Sequence, residues 1–204
     1  MNSILLKNNY NSCKLIKDYK ICIKYYNFIN PEKIKEKSFS ISKNTHGWEC
    51  IPLHTLNGKI GNKSTIPKEI TENNNYLPNK ILLKCKYINK ILKELNTKIY
   101  LVRLMKLRAG GFIAPHIDKY INNKNKIIRC QIPIITNEDI DFIIDNEKYY
   151  LEECNLYYIN AGEKIHYVKN NSKYDRITLI IDLKPTNNMR NIIYNKNKNI
   201  EKLI

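Results

Sequence analysis

After Asn96 the spacing of apolar residues changes from three-and-four to about two, and it stays there as far as residue 183. No other feature limits the fold as strongly. A period of two puts successive side chains on opposite faces of a strand. The segments KIYLVRLMKL, IIRCQIPII, DFIID, LYYIN, HYVKN and RITLIIDL are rich in Ile, Val, Tyr and Leu, and clusters of Asn, Gly, Asp and Glu separate them. Short strands in such close succession predict a sandwich or barrel. The absence of helices alternating between them argues against a doubly wound parallel sheet.

The preceding ninety-odd residues read as support for that body. Ile81, Cys85, Ile88, Leu92 and Leu95 recur at helical steps and predict a helix running on from Pro78. Its lysines fall mostly on the opposite, solvated face. ICIKYYNFI near 21–29 reads as a strand, with a turn at Asn30-Pro31. PEKIKEK suits a short helix with proline at its first position. GWECIPLH, which holds the only tryptophan, reads as a strand entering the fold, and TLNGKIGNKSTIPKEITENNNYLPN as a long loop. The tail, 184–204, is a terminal helix or a frayed end. The expected organisation is one domain over 1–204, with supporting elements in 1–97 and the barrel in 98–183.

Composition removes several classes of function. Hydrophobic residues make up 43% of the 204, which suits a globular chain. No apolar run has membrane-spanning length, and the lysine- and asparagine-broken N-terminus is a poor signal peptide. Six scattered cysteines without a C-x-x-C pair fit a reducing, cytoplasmic setting and no structural zinc. The formal charge of +16 would suit a polyanion. Its excess is mostly lysine interleaved with Asn and Ile, however, and no arginine cluster or RNA-binding aromatic motif accompanies it. This argues against nucleic acid as the main partner and leaves an acidic peptide as the partner that the charge would attract.

One constellation carries chemistry. In LMKLRAGGFIAPHID an apolar strand runs through two glycines and a proline into His116-Ile117-Asp118. On a strand, His116 and Asp118 would point together and Ile117 away. His166 comes from a strand 48 residues beyond Asp118. Two histidines and a carboxylate on one face of a metal leave three positions open, the arrangement suited to non-haem Fe(II) with a bidentate co-substrate and dioxygen. Arg176, ten residues after His166, brings a guanidinium fork that matches a carboxylate, and the distal carboxylate of 2-oxoglutarate is its natural occupant. The bland readings are an ordinary strand histidine for each of the two, a loop cap for Asp118 and an acid partner such as Asp141 for Arg129.

RLMKLRAGGFIAPHID, RCQIPIITN, LYYINAGEKIHYVKN and DRITLIID together resemble the aspartyl/asparaginyl β-hydroxylase family. The resemblance covers about residues 98–183, with GWECIPLHTLNGKIG similar to an upstream strand of that family. It implies a mainly β fold with flanking helices, a double-stranded β-helix (jelly-roll, cupin-like) barrel with iron in its mouth. By the same resemblance, His116, Asp118 and His166 match the metal ligands and Arg176 matches the arginine for a 2-oxoglutarate carboxylate. Arg129 matches a second basic residue near the co-substrate. The family usually has Arg-x-His where this chain has Arg129-Cys130-Gln131, and Gln131 cannot carry charge. The implied reaction is Fe(II)- and 2-oxoglutarate-dependent hydroxylation, with O2, of an Asp, Asn or Pro type side chain in a peptide, a protein or a free amino acid. The alternative is a jelly-roll binding module without turnover, which Gln131 alone favours.

Overall fold

A computed structural model describes residues 2–30, 44–61, 70–71, 73–121 and 126–201, with no side chains described beyond 195. Among these residues are ten strands: β1 Ser3–Lys7, β2 His46–Leu56, β3 Tyr76–Pro78, β4 Ile99–His116, β5 Ile128–Ile135, β6 Ile140–Ile144, β7 Glu147–Tyr149, β8 Leu156–Ile159, β9 His166–Asn170 and β10 Arg176–Leu183. Three α-helices accompany them among the described residues: α1 Ser12–Tyr25, α2 Lys86–Glu94 and α3 Asn187–Glu201. The strands pair antiparallel in the order β1-β8-β5-β10-β4-β9-β6-β7, while β2 joins β4 and carries β3. The two ends of this order meet where the Asn2 amide donates to the Tyr149 hydroxyl at 3.4 Å. The result is a nearly closed barrel, one of the two outcomes that the alternation after Asn96 predicts and the one that the family resemblance implies as a jelly roll.

β4 turns the sheet into a barrel. Its first half, Ile99 to Leu107, pairs with β10, whereas Phe112 to His116 pairs with β9. Between them Gly110 takes a φ of +70°, a conformation open to glycine and strained for most other residues. At Gly111 a Cβ would lie 2.7 Å from Leu107 Cδ1 and 2.8 Å from the Arg108 carbonyl oxygen. The two glycines of the sequence pattern are therefore the bend that lets one strand belong to both walls.

The walls divide their side chains by parity. Ile177, Leu179, Ile181 and Leu183 of β10 and Ile128, Cys130, Ile132 and Ile134 of β5 pack with Leu15, Cys22, Ile88, Ile91 and Met189 from the helices. The opposite face of those strands looks into the barrel. There Leu107, Phe142, Ile144, Tyr157, Ile159 and Val168 form a second, smaller core beside Trp48.

Several elements differ from the sequence reading. The segment ICIKYYNFI does not form a strand. Residues up to Tyr25 continue α1, whose first turn is capped when the Asn11 side chain accepts from the Lys14 amide at 2.9 Å. Helical packing of Leu15, Asp18 and Cys22 outweighs the strand propensity of Ile and Tyr. The helix after Pro78 starts at Lys86, following a 3-10 turn at Leu82–Lys84, although all five residues of its stripe are buried. Its start is capped from another element: Asp18 of α1 accepts from the Tyr87 and Ile88 amides, both at 2.8 Å. The tail forms α3, and β1 and β7 had no counterpart in the sequence reading. The helix expected at PEKIKEK lies outside the described residues, as do 62–69 and 72 of the long loop, whose two ends instead form strand and pair as β2 and β3. Among the described residues no helix is long and apolar enough to cross a membrane, and all six cysteines are free thiols.

Candidate metal centre

The bend in β4 delivers His116 to the strand's end, where it pairs in register with His166 at the start of β9. The two imidazoles lie 4.2 Å apart, tilted by 48°. His116 Nδ1 faces the Ala114 carbonyl at 2.9 Å and His166 Nδ1 faces the Lys164 carbonyl at 3.2 Å. A carbonyl only accepts, so each Nδ1 donates there and Nε2 is the ring nitrogen left for a metal. Asp118 lies just past the strand, its amide donating to the Ala161 carbonyl at 2.9 Å. Its Oδ1 is 3.9 Å from His116 Nε2 and its Oδ2 is 3.5 Å from His166 Nε2. The candidate ligand atoms of the three residues all fall within 4.8 Å of one another, and no other such cluster occurs among the described residues.

The protonation states suit a cation. Burial, reinforced by the neighbouring His166, lowers the pKa of His116 below its ordinary 6.5, so its Nε2 is free of a proton at neutral pH. Burial raises the Asp118 carboxyl, but the Arg129 guanidinium and His166 outweigh that and hold it well below the usual carboxylate range. Two imidazoles and an ionised carboxylate form a donor set for a divalent metal, and Fe(II) fits it.

Arg176, Gln131 and Arg129 all belong to barrel-facing positions. Arg176 begins β10 and is buried, 6% exposed, with its guanidinium 5.7 Å from the Phe142 ring centroid. Nη2 donates to Gln131 Oε1 at 3.4 Å, and Nε has no partner among the described residues. No carboxylate pairs with it there, and burial pulls its pKa down to about 10. A buried, uncompensated guanidinium is costly and marks a place for an anion. Arg129 is satisfied differently. Its Nε and Nη2 grip Asp182 at 2.7 and 3.0 Å, and Nη1 pairs with Asp118. Its acid partners are thus Asp118 and Asp182, while Asp141 pairs with Lys148 on the outside.

Arg129 and Gln131 are two residues apart on one face of β5. Arg129 touches the ligand cluster and Gln131 touches Arg176. Two residues of strand rise about 7 Å, on the order of the separation between the carboxylates of an extended five-carbon dicarboxylate.

The sequence reading missed three residues of this interior. Thr178 and Asp182 lie on the barrel face of β10 with Arg176, and Arg103 pairs with Asp182 at 2.7 Å. Thr178 is fully buried, and its hydroxyl has no partner among the described residues. Even spacing from Arg176 along RITLIIDL was the available signal for the first two. Asn170 is not aimed at the cluster. It is fully buried and donates to the carbonyls of Leu107, Arg108 and Tyr174, fastening the β4 bend to the turn before Arg176. His54 binds the Tyr100 carbonyl and His46 the Gly110 carbonyl, so neither joins the cluster.

Comparison with known proteins follows this geometry. The family model for aspartyl/asparaginyl beta-hydroxylase matches residues 20–185. No curated protein matches by sequence. Among solved structures, a 2OG-Fe(II) family oxidoreductase from Burkholderia pseudomallei superposes with a TM-score of 0.60 at 8% identity, over 91% of this chain and 85% of that one. The viral collagen prolyl hydroxylase of Paramecium bursaria Chlorella virus-1, in complex with 2OG, gives 0.53 at 9% identity, over 91% and 97%. HygX from Streptomyces hygroscopicus, with nickel, 2-oxoglutarate and hygromycin B bound, gives 0.52 at 6% identity, over 91% and 84%. At these identities the likeness is one of fold.

Proposed function

The chain belongs to the aspartyl/asparaginyl β-hydroxylase family, and from that footing we propose that it is an Fe(II)- and 2-oxoglutarate-dependent hydroxylase acting on an amino-acid side chain of Asp, Asn or Pro type. His116, Asp118 and His166 hold the iron. The observation that carries this reading is the buried Arg176, which has no acid partner among the described residues and shares a barrel face with a three-ligand cluster. A dianion whose far carboxylate takes the guanidinium supplies the missing charge.

Iron and 2-oxoglutarate, when bound, supply oxidative decarboxylation to succinate and CO2, coupled to hydroxylation of a C–H bond by O2. The chain's own residues bind, orient and exclude water. Arg176 and the Gln131 amide hold the distal carboxylate, and the Thr178 hydroxyl, on the same face, is a third donor. The Nδ1–H groups of both histidines donate to backbone carbonyls, which fixes ring orientation and keeps both Nε2 atoms turned to the metal. Arg129 holds Asp118 and so lines the ligand side of the co-substrate pocket. The Leu107–Phe142–Ile159–Val168 core closes the interior behind them.

Gln131, the departure that favoured a module without turnover, sits against Arg176 and fills a place in the carboxylate cradle without needing a charge. The substrate proposed is a peptide or protein side chain, and the +16 charge favours an acidic one. The test is aerobic incubation with Fe(II), 2-oxoglutarate and candidate peptides, read as succinate release and a gain of one oxygen atom by mass spectrometry. Turnover that survives in His116→Ala would reject the assignment. Absence of any succinate from wild type would favour the binding module.

A further inference from the structure

The two histidines of the cluster are fixed by strand pairing and by their Nδ1 bonds, but the carboxylate is not. Asp118 lies beyond the end of β4, its backbone tied to Ala161 and Ile121 and its side chain held by Arg129. The guanidinium is in turn fixed in its plane. Nε and Nη2 form a two-toothed grip on Asp182, whose second oxygen also takes Arg103 Nη2 at 2.7 Å. Asp182 is fully buried and stands opposite Arg129 in the β10–β5 register. With two of its three nitrogens committed to Asp182, Arg129 has Nη1 left to present, and Nη1 meets Asp118.

We propose that Asp182, clamped by Arg103, is a positioning residue for the metal's carboxylate ligand and acts through the Arg129 guanidinium. The inference rests on the metal reading above and adds to it a specific mechanical link between β10 and the loop after β4. Asp182 touches neither metal nor substrate. It sets the direction of Nη1, and Nη1 sets which oxygen of Asp118 remains free. The family match does not supply this link; the chain of contacts Arg103–Asp182–Arg129–Asp118 does.

The test uses Mn(II) alone, titrated into the full chain and followed by the paramagnetic resonance of the free ion. Outer partners of metal ligands typically shift affinity 10- to 100-fold, and Asp182→Asn is expected to raise the Mn(II) Kd by that factor. Asp182→Glu, which keeps the charge but displaces the grip by a methylene, is expected to raise it about tenfold and serves if the asparagine variant does not fold. Arg129→Lys alone cannot bridge the two carboxylates, and adding it to either Asp182 variant should weaken binding little further, because the fixed guanidinium it removes has already been released. A folded Asp182 variant with wild-type Mn(II) affinity overturns the proposal, as does an additive effect with Arg129→Lys. A purely structural Asp182 would lower the melting temperature and leave the Kd unchanged. If wild type binds no Mn(II), or His166→Ala binds it as well as wild type, the metal reading falls and the brace with it. Wild-type binding that an altered Asp182 leaves intact removes the brace alone.

Discussion

Replacing Arg176 with methionine separates stability from ligand binding in a way that few core substitutions do. In the protein without co-substrate, the Arg176 guanidinium is buried, its Nε lacks a partner among the described residues, and its Nη2 makes only a 3.4 Å contact there, to neutral Gln131. Methionine has comparable reach and removes a charge that no carboxylate offsets among the described residues. Exchange of buried ions for hydrophobic residues is often neutral or stabilising by about 1–4 kcal/mol. The low end applies here, since the cation–aromatic contact with Phe142 is lost as well. For a chain of this length each kcal/mol is worth about 2–4 °C in Tm, so Arg176→Met should melt at or a few degrees above wild type.

Binding of 2-oxoglutarate should move the other way. Two charge-assisted hydrogen bonds contribute about 1.5–3 kcal/mol each, and Gln131 and Thr178 remain to compensate in part. A net loss of about 3 kcal/mol weakens the Kd by roughly a hundredfold or more. Calorimetric titration of 2-oxoglutarate into the Mn(II)-loaded protein, with thermal melts on the same samples, measures both. A variant that melts well below wild type and still binds 2-oxoglutarate with unchanged affinity would refute the assignment of Arg176 as an unpaired anion receptor.

Other perturbations test the supporting parts. His116→Ala or His166→Ala should abolish stoichiometric Mn(II) binding in a folded protein, measured by metal analysis after gel filtration. Gly111→Ala places a Cβ 2.8 Å from a backbone oxygen, and should cost about 1–3 kcal/mol in urea unfolding while weakening metal binding five residues on at His116. Asp18→Ala leaves the Tyr87 and Ile88 amides at the start of α2 without their acceptor and should cost about 2 kcal/mol by the same assay. Burial lowers the His54 pKa, against the opposing pull of its bond to Tyr100. The unfolded chain therefore takes up that proton first as pH falls through 6.5, and the associated stability is present above 6.5 and lost below it. His54→Gln, which can still donate to the Tyr100 carbonyl, should flatten the decline in urea midpoint between pH 7 and pH 5.5.

What was legible in the sequence is what local chemistry writes into neighbouring residues. The alternation from Lys98 to Leu183 marks the barrel strands because each has one face on the helices and one on the interior. The two glycines before His116 announce a bend, since a Cβ at Gly111 has no room. The His-x-Asp, His166 and Arg176 can be read because their side chains are unusual for a barrel interior. α1 was hidden because ICIKY is equally at home in a strand, and only contacts from distant elements, such as Asp18 with α2, decide for the helix. Asp182, Arg103 and Thr178 were hidden because each is ordinary in its own segment. They acquire meaning from register, when Asp182 is set opposite Arg129 and Arg103 falls beside it across β10 and β4.

The central claim is that His116, Asp118 and His166 hold iron beside a 2-oxo acid that Arg176 anchors. Anaerobic titration of the metal-free protein with Fe(II) and 2-oxoglutarate, followed by visible absorption, tests it most directly, because a 2-oxo acid chelated to Fe(II) gives a charge-transfer band that neither component gives alone. The account predicts a band that saturates at one iron and one 2-oxoglutarate per chain and is absent from folded His166→Ala. Folded wild-type protein that shows no band with both present, or His166→Ala that shows it undiminished, would contradict the account.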